Sequence, residues 1–116
     1  MLDELLTALR RGIPGTRAVL LVDSDGMVVA GEGDVDSPWE LVGAASADLV
    51  RRAVSAHAEA GLAPPAELSW ASGSGTLLYR AVTDDYGLLV ALGRDGLAGR
   101  ARWLMRHTAV RLLPEL

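Results

Sequence analysis

The chain contains no Lys, Cys, Phe, Asn or Gln, so all 11 basic residues among its 116 positions are Arg. Each absence removes a chemistry. Without cysteine there is no disulfide framework, no thiolate nucleophile and no thiolate metal site. Without lysine there is no Walker-type phosphate loop, no Schiff base and no lysine general base. Arg-only basicity with no Asn, Gln or Cys suits a thermophile, and a GC-rich genome gives the same bias. Positive charge is also in deficit, with 15 acidic residues, a formal net charge of −4 and a pI near 5.0. Such a chain has no overall field to gather phosphates, so nucleic acid is not an expected partner. The acidic start Met1-Leu2-Asp3-Glu4 lacks the basic and long apolar regions of a signal peptide, and no apolar run approaches the roughly 20 residues of a membrane span. The expectation is a cytoplasmic protein with no membrane partner. A chain of this length builds one domain, residues 1–116, and cannot hold a cofactor domain beside a substrate domain.

What is present has a clear periodicity. Leu2, Leu5, Leu6 and Leu9 fall on one stripe of a helix over residues 2–11, stopped by Gly12 and Pro14-Gly15. Residues 17–23 and 27–31 are β-rich runs joined through Ser24-Asp25-Gly26, whose Asp-Gly pair favours a tight hairpin. The unbroken apolar run in the first implies an inner strand covered on both faces, hence helices on both sides of the sheet. Ser37-Pro38-Trp39-Glu40 predicts a helix start with Ser37 as N-cap and Glu40 closing a capping box. That helix runs to residue 60, before Gly61 and Pro64-Pro65. Three strands follow, over residues 66–71, 76–82 and 86–92, linked by short turns as a meander. Residues 96–113 form a last helix, with Leu97, Ala101, Leu104, Thr108 and Leu112 expected to face inward and Pro114 ending it. The expected class is α+β, in the order α-β-β-α-β-β-β-α, with a five-stranded antiparallel sheet between helices.

Two features of this pattern ask for a partner. On the middle helix the polar residues gather on one narrow face, and the remaining arc is about twice the ~100° stripe that packing against one layer requires. It divides into a bulkier seam, Val42, Leu49, Ala53 and Ala60, and a small-residue seam, Gly43, Ala47, Val50 and Val54. The sheet takes one seam. The small one suits the same helix of a second subunit across a two-fold axis, or else the first or last helix of the same chain. The strand at 66–71 alternates wet and dry through Glu67, Leu68, Ser69 and Trp70, as an edge strand does, and an open edge of this kind invites pairing with a second copy. Gly43, Ala47, Val50, Val54, Leu68 and Trp70 are therefore the expected dimer interface. On the last helix, Arg100, Trp103, His107 and Arg111 share the outer face and form a candidate partner surface. With only three Trp and two Tyr in the chain, Trp70 and Trp103 stand out, because Trp and Arg are enriched where partners dock. Covering their own core is the competing role for each.

No catalytic constellation emerges. Asp23-Ser24-Asp25-Gly26 starts like a calcium loop but lacks the later ligands, with Asp34 where a bidentate Glu is needed. His57 and His107 fall on different helices without a ligand at metal-binding spacing. Ser72-Gly73-Ser74-Gly75 sits between two strands rather than at a nucleophile elbow. Asp84 and Asp85 are explained by a solvated turn. No catalytic residue, cofactor site or metal site is expected.

The opening Ile13-Pro14-Gly15-Thr16-Arg17-Ala18, the Asp25-Gly26 pair, Ala30, the long middle helix and the closing meander before a last helix resemble the Roadblock/dynein light chain family over essentially the whole chain. The resemblance implies a homodimer in which the middle helices pack together and the third strands join two sheets into one. It also implies a regulatory or scaffold role in binding a Ras-like small GTPase, as in prokaryotic gliding-motility and polarity regulators, with stimulation of GTP hydrolysis as the sharper expectation. A purely structural scaffold, or a small-ligand sensor of profilin-like or PAS-like build, is the alternative.

Overall fold

In the computed structural model, which describes residues 1–34 and 37–116, helices α1 (Leu2–Gly12), α2 (Trp39–Glu59) and α3 (Ala98–Leu112) flank one antiparallel sheet. Its strands are β1 (Thr16–Asp23), β2 (Val28–Gly33), β3 (Glu67–Ser72), β4 (Gly75–Ala81) and β5 (Tyr86–Leu92), in the spatial order β2-β1-β5-β4-β3. The α-β-β-α-β-β-β-α order read from the sequence is therefore the observed one. β1 and β5 pair in the middle, which accounts for their unbroken apolar runs, and β2 and β3 form the two edges.

Alternation along each strand divides the core into two layers. Val19 and Leu21 of β1, Leu78 of β4, and Leu88, Val90 and Leu92 of β5 face one way, against Leu6 and Leu9 of α1 and Ala101, Met105 and Leu112 of α3. Ala18, Leu20 and Val22 of β1 and Leu89 and Ala91 of β5 face the other way, where α2 lies. Two helices thus cover one face of the sheet and a single helix serves the other, packed chiefly over β1 and β2.

Two local expectations are corrected. Ser37 does not cap α2: the helix begins at Trp39 with no side-chain cap. Both groups a capping box would use are engaged elsewhere, since the Ser37 amide donates to the Asp34 carbonyl at 3.2 Å and the Ser37 hydroxyl accepts from Arg17 Nη2 at 3.0 Å. Arg17 also pairs with Asp34 and lies over the Trp39 ring, while Trp39 Nε1 donates to the Asp34 carbonyl at 2.9 Å. This knot of side chains, rather than a local cap, sets the entry to α2. The second correction concerns α3, whose buried stripe is Ala101, Met105, Ala109 and Leu112. Leu97 is exposed, and Leu104 and Thr108 are only half-buried. Small residues at 101 and 109 bring the helix axis close to the sheet, Met105 fills the space between them, and Leu104 turns towards Gly12 of α1.

Truncating Met105 should leave an unfilled space in the layer beneath α3. Met105→Ala is expected to cost about 2–5 kcal/mol in urea unfolding, whereas Thr108→Ala, on the expected but half-exposed position, should stay within about 1 kcal/mol.

Candidate functional site

The seat of α2 is built from small residues. Gly26, at the turn between β1 and β2, has φ +85°, and a Cβ there would stand 2.6 Å from the Ala44 backbone. A Cβ on Gly43 would meet the Gly26 carbonyl and the side chains of Val22 and Val28. Ala47 is only 5% exposed, and Arg51 Nη1 donates to the Ser24 carbonyl at 2.7 Å. The Asp23 carboxylate accepts from the amides of Asp25 and Met27, so Asp23 shapes the hairpin turn. Gly43 and Ala47 of the small seam are consequently spent inside the chain, against the β1–β2 hairpin, and are not free for a second helix. Neither α1 nor α3 takes that seam, because both lie on the opposite face of the sheet. Val50 is half-buried and Val54 is exposed. The residues of α2 left open are on another flank: Leu41 is 68% exposed and Leu49 is 48% exposed, with exposed Ala45 between them at helical spacing. The polar stripe at Asp48 and Arg52 drew attention away from this flank in the sequence.

Beyond α2 the same face of the sheet is bare. Leu68 pairs across from Tyr79 and Trp70 from Leu77, and all four side chains stay half-buried. β3 bonds only to β4, so its outer edge presents unpaired backbone groups among the described residues. Between the C-terminal half of α2 and the β4–β5 turn lies an open groove of about 470 Å³, with Val50, Val54, Pro64, Pro65 and Tyr79 among its walls and Asp23, Arg51, Asp84 and Asp85 among its polar groups. Burial pushes the Tyr79 phenol above its usual value of 10.0, because the charged form loses hydration there. His57 Nδ1 lies 2.9 Å from the Ala63 carbonyl, tying the end of α2 to the following loop.

On the far side of the molecule, Arg100, Trp103, His107 and Arg111 are all exposed on α3, as their spacing indicated. Trp103 is 56% exposed and its ring lies against His107, with centroids 4.1 Å apart. Val110 and Arg106 share this outward face and were missed in the sequence. The signal that marks Arg106 is the absence of any acidic residue between positions 98 and 112, and Val110 is marked by its spacing of three from His107. The expected interface residues thus divide between two separate places: Leu68, Trp70, Val50 and Val54 on the α2 side, and the α3 residues opposite.

Among the described residues, no three His, Asp or Glu side chains are grouped as metal ligands, and no helix is long and apolar enough to cross a membrane. No protein-family model matches the chain, and no curated protein matches its sequence. Solved structures do match its fold. A Roadblock/LC7 domain from Streptomyces avermitilis superposes with a TM-score of 0.89 at 20% identity, over 97% of this chain and 95% of that one. MglB of Myxococcus xanthus gives 0.86 at 15% identity, over 95% and 83% of the two chains. MglC of the same organism gives 0.73 at 26% identity, over 97% of each. The fold is that of the Roadblock/LC7 domain, and it is shared with MglB and MglC.

Two consequences can be measured. Gly26→Ala should lower stability by about 1–3 kcal/mol in denaturant unfolding, since it adds left-handed strain and pushes α2 off its seat. Folding also resists ionisation of Tyr79 while the unfolded chain does not, so stability holds below pH 10 and falls as pH rises through the elevated folded value. Tyr79→Phe should flatten that alkaline slope in a pH series of thermal melts.

Proposed function

We propose that the chain is a homodimeric regulatory module that binds a Ras-like small GTPase in the cytoplasm and stimulates its GTP hydrolysis. The observation that carries this reading is the half-covered sheet: α2 shields the β1–β2 half, and the adjoining face, with Leu68, Trp70, Leu77 and Tyr79, ends in the unpaired edge of β3. A second copy supplies both missing elements by pairing its own β3 and laying its own α2 alongside. The interface then consists of Leu68 and Trp70 with Val54, Leu41 and Leu49, while Gly43 and Ala47 support it from beneath. The Roadblock fold supports the same arrangement, through the family resemblance from which dimerisation and the GTPase partner were inferred.

In this role the dimer acts by ordering residues that the GTPase already owns, which is where the chemistry of phosphoryl transfer is carried out. The ligand-sensor alternative would use the groove beside α2. Its charged residues, Asp23 at the end of β1, Arg51 on α2, and Asp84 and Asp85 on the β4–β5 turn, line an open groove rather than converging on an enclosed centre, as a small-molecule site requires.

Light scattering at micromolar protein should give twice the 12.2 kDa of one chain. Leu49→Glu should give a folded monomer, because it places an unpaired charge in the interface while leaving the protomer core untouched. Ala47→Glu should unfold the protomer instead. A wild-type monomer overturns the dimer. Phosphate release from small GTPases encoded beside this chain should rise on its addition and should not rise with Leu49→Glu. Binding without acceleration would favour a scaffold.

A further inference from the structure

The charge of this chain is divided unevenly. α3 carries Arg100, Arg102, Arg106 and Arg111 and no acidic residue, although acidic residues exceed basic ones, 15 to 11, over the whole sequence. None of these four guanidiniums is in an ion pair among the described residues, whereas Arg10, Arg17, Arg51, Arg52 and Arg80 each have a carboxylate partner. With Arg11 and Arg94 also outside any ion pair among the described residues, four of the six uncompensated arginines lie on one exposed helix of an acidic molecule.

This face also has an apolar centre. Trp103, His107 and Val110 follow one another at intervals of four and three residues, which puts them in line along the helix. Trp103 is held against His107, and Val110 is 65% exposed. Arg106 flanks the line on one side, and Arg100 and Arg111 flank it on the other. Two of the arginines on α3 are anchored: Arg100 Nε donates to the Gly12 carbonyl at 2.6 Å, and Arg102 Nη2 donates to the Ser69 hydroxyl at 3.2 Å. The N–H groups outside these bonds stay available for paired contacts to carboxylates.

We propose that this face of α3 docks an acidic amphipathic segment of a partner protein, with an apolar side chain of that segment against Trp103 and Val110 and carboxylates on both arginine rows. Charge complementarity selects this occupant. A second copy meeting the face through its own α3 would set arginine against arginine. A DNA duplex or an anionic lipid layer would extend beyond this face onto the acidic remainder of the molecule, whereas a short acidic segment lies on the face alone. The surface lies on the opposite side of the sheet from α2, so it is independent of the dimer and of the reading given above.

The test is titration of the full chain with a fluorescent helical peptide bearing one apolar stripe between two rows of Glu. The controls are the same peptide with Lys for Glu, phosphatidylserine vesicles and a short DNA duplex. The acidic peptide should bind with an affinity that falls steeply with salt, and the Lys peptide should not bind. Arg111→Glu and Trp103→Ala, both on exposed positions, should each weaken binding about tenfold or more, while Arg52→Glu, the same charge change on α2, should leave it unaltered. Circular dichroism should report an unchanged fold for all three variants. Failure of the acidic peptide to bind, equal binding of the Lys peptide, or insensitivity to Arg111→Glu overturns the proposal. Binding of vesicles or DNA that depends on Arg111 and Trp103 overturns the assignment to an acidic protein segment.

Discussion

A sheet whose inner strands are apolar on both faces must be covered on both, and this chain has helices enough for only one and a half. Val19, Leu21, Leu88 and Val90 bury themselves beneath α1 and α3, while Ala18, Leu20, Leu89 and Ala91 rely on α2 from the other side. Because α2 packs over β1 and β2, the cost of the uncovered half falls on β3 and β4. The half-exposed Trp70 and Tyr79 follow from that shortage, as does the apolar flank of α2. A partner completing that layer from outside would remove apolar surface from water at little cost in chain ordering.

Much of this was legible in the residues. The element order, the edge position of β3 and the two-sided cover of β1 all follow from patterns of period 2 and 3.6, which survive tertiary packing because they are imposed by it. The capping of α2 was not legible. Ser37 and Glu40 have the spacing of a capping box, but Arg17 and Asp34, distant in sequence, compete for the same groups. The inward stripe of α3 was misplaced for a related reason. Leu97, Leu104 and Thr108 gave a fair apolar face, yet the helix turns so that Ala101 and Ala109 approach the sheet, a preference set by the neighbouring layer rather than by hydropathy.

The small-residue seam is the most instructive case. Glycine and alanine at helical spacing permit close approach without saying what approaches. Here the visitor is the backbone of a turn in the same chain: Gly26 in its left-handed conformation fits beneath Gly43, Ala44 and Ala47. The bulkier Leu41 and Leu49, which would be assigned to a core by hydropathy alone, remain outside. For an interface this division is sensible, because small residues fix the height of the helix while large ones supply area to bury.

The outer face of α3 carries its positive charge entirely on arginine. Guanidinium groups stay protonated across the pH range in which proteins fold, and they are not substrates for the acetyltransferases that neutralise lysine. The arginine rows are consequently a permanent marking, beyond the reach of acidification or of lysine-directed modification. Changing the charge balance with a docked acidic segment then falls to the segment itself, through the number of carboxylates or phosphates it presents.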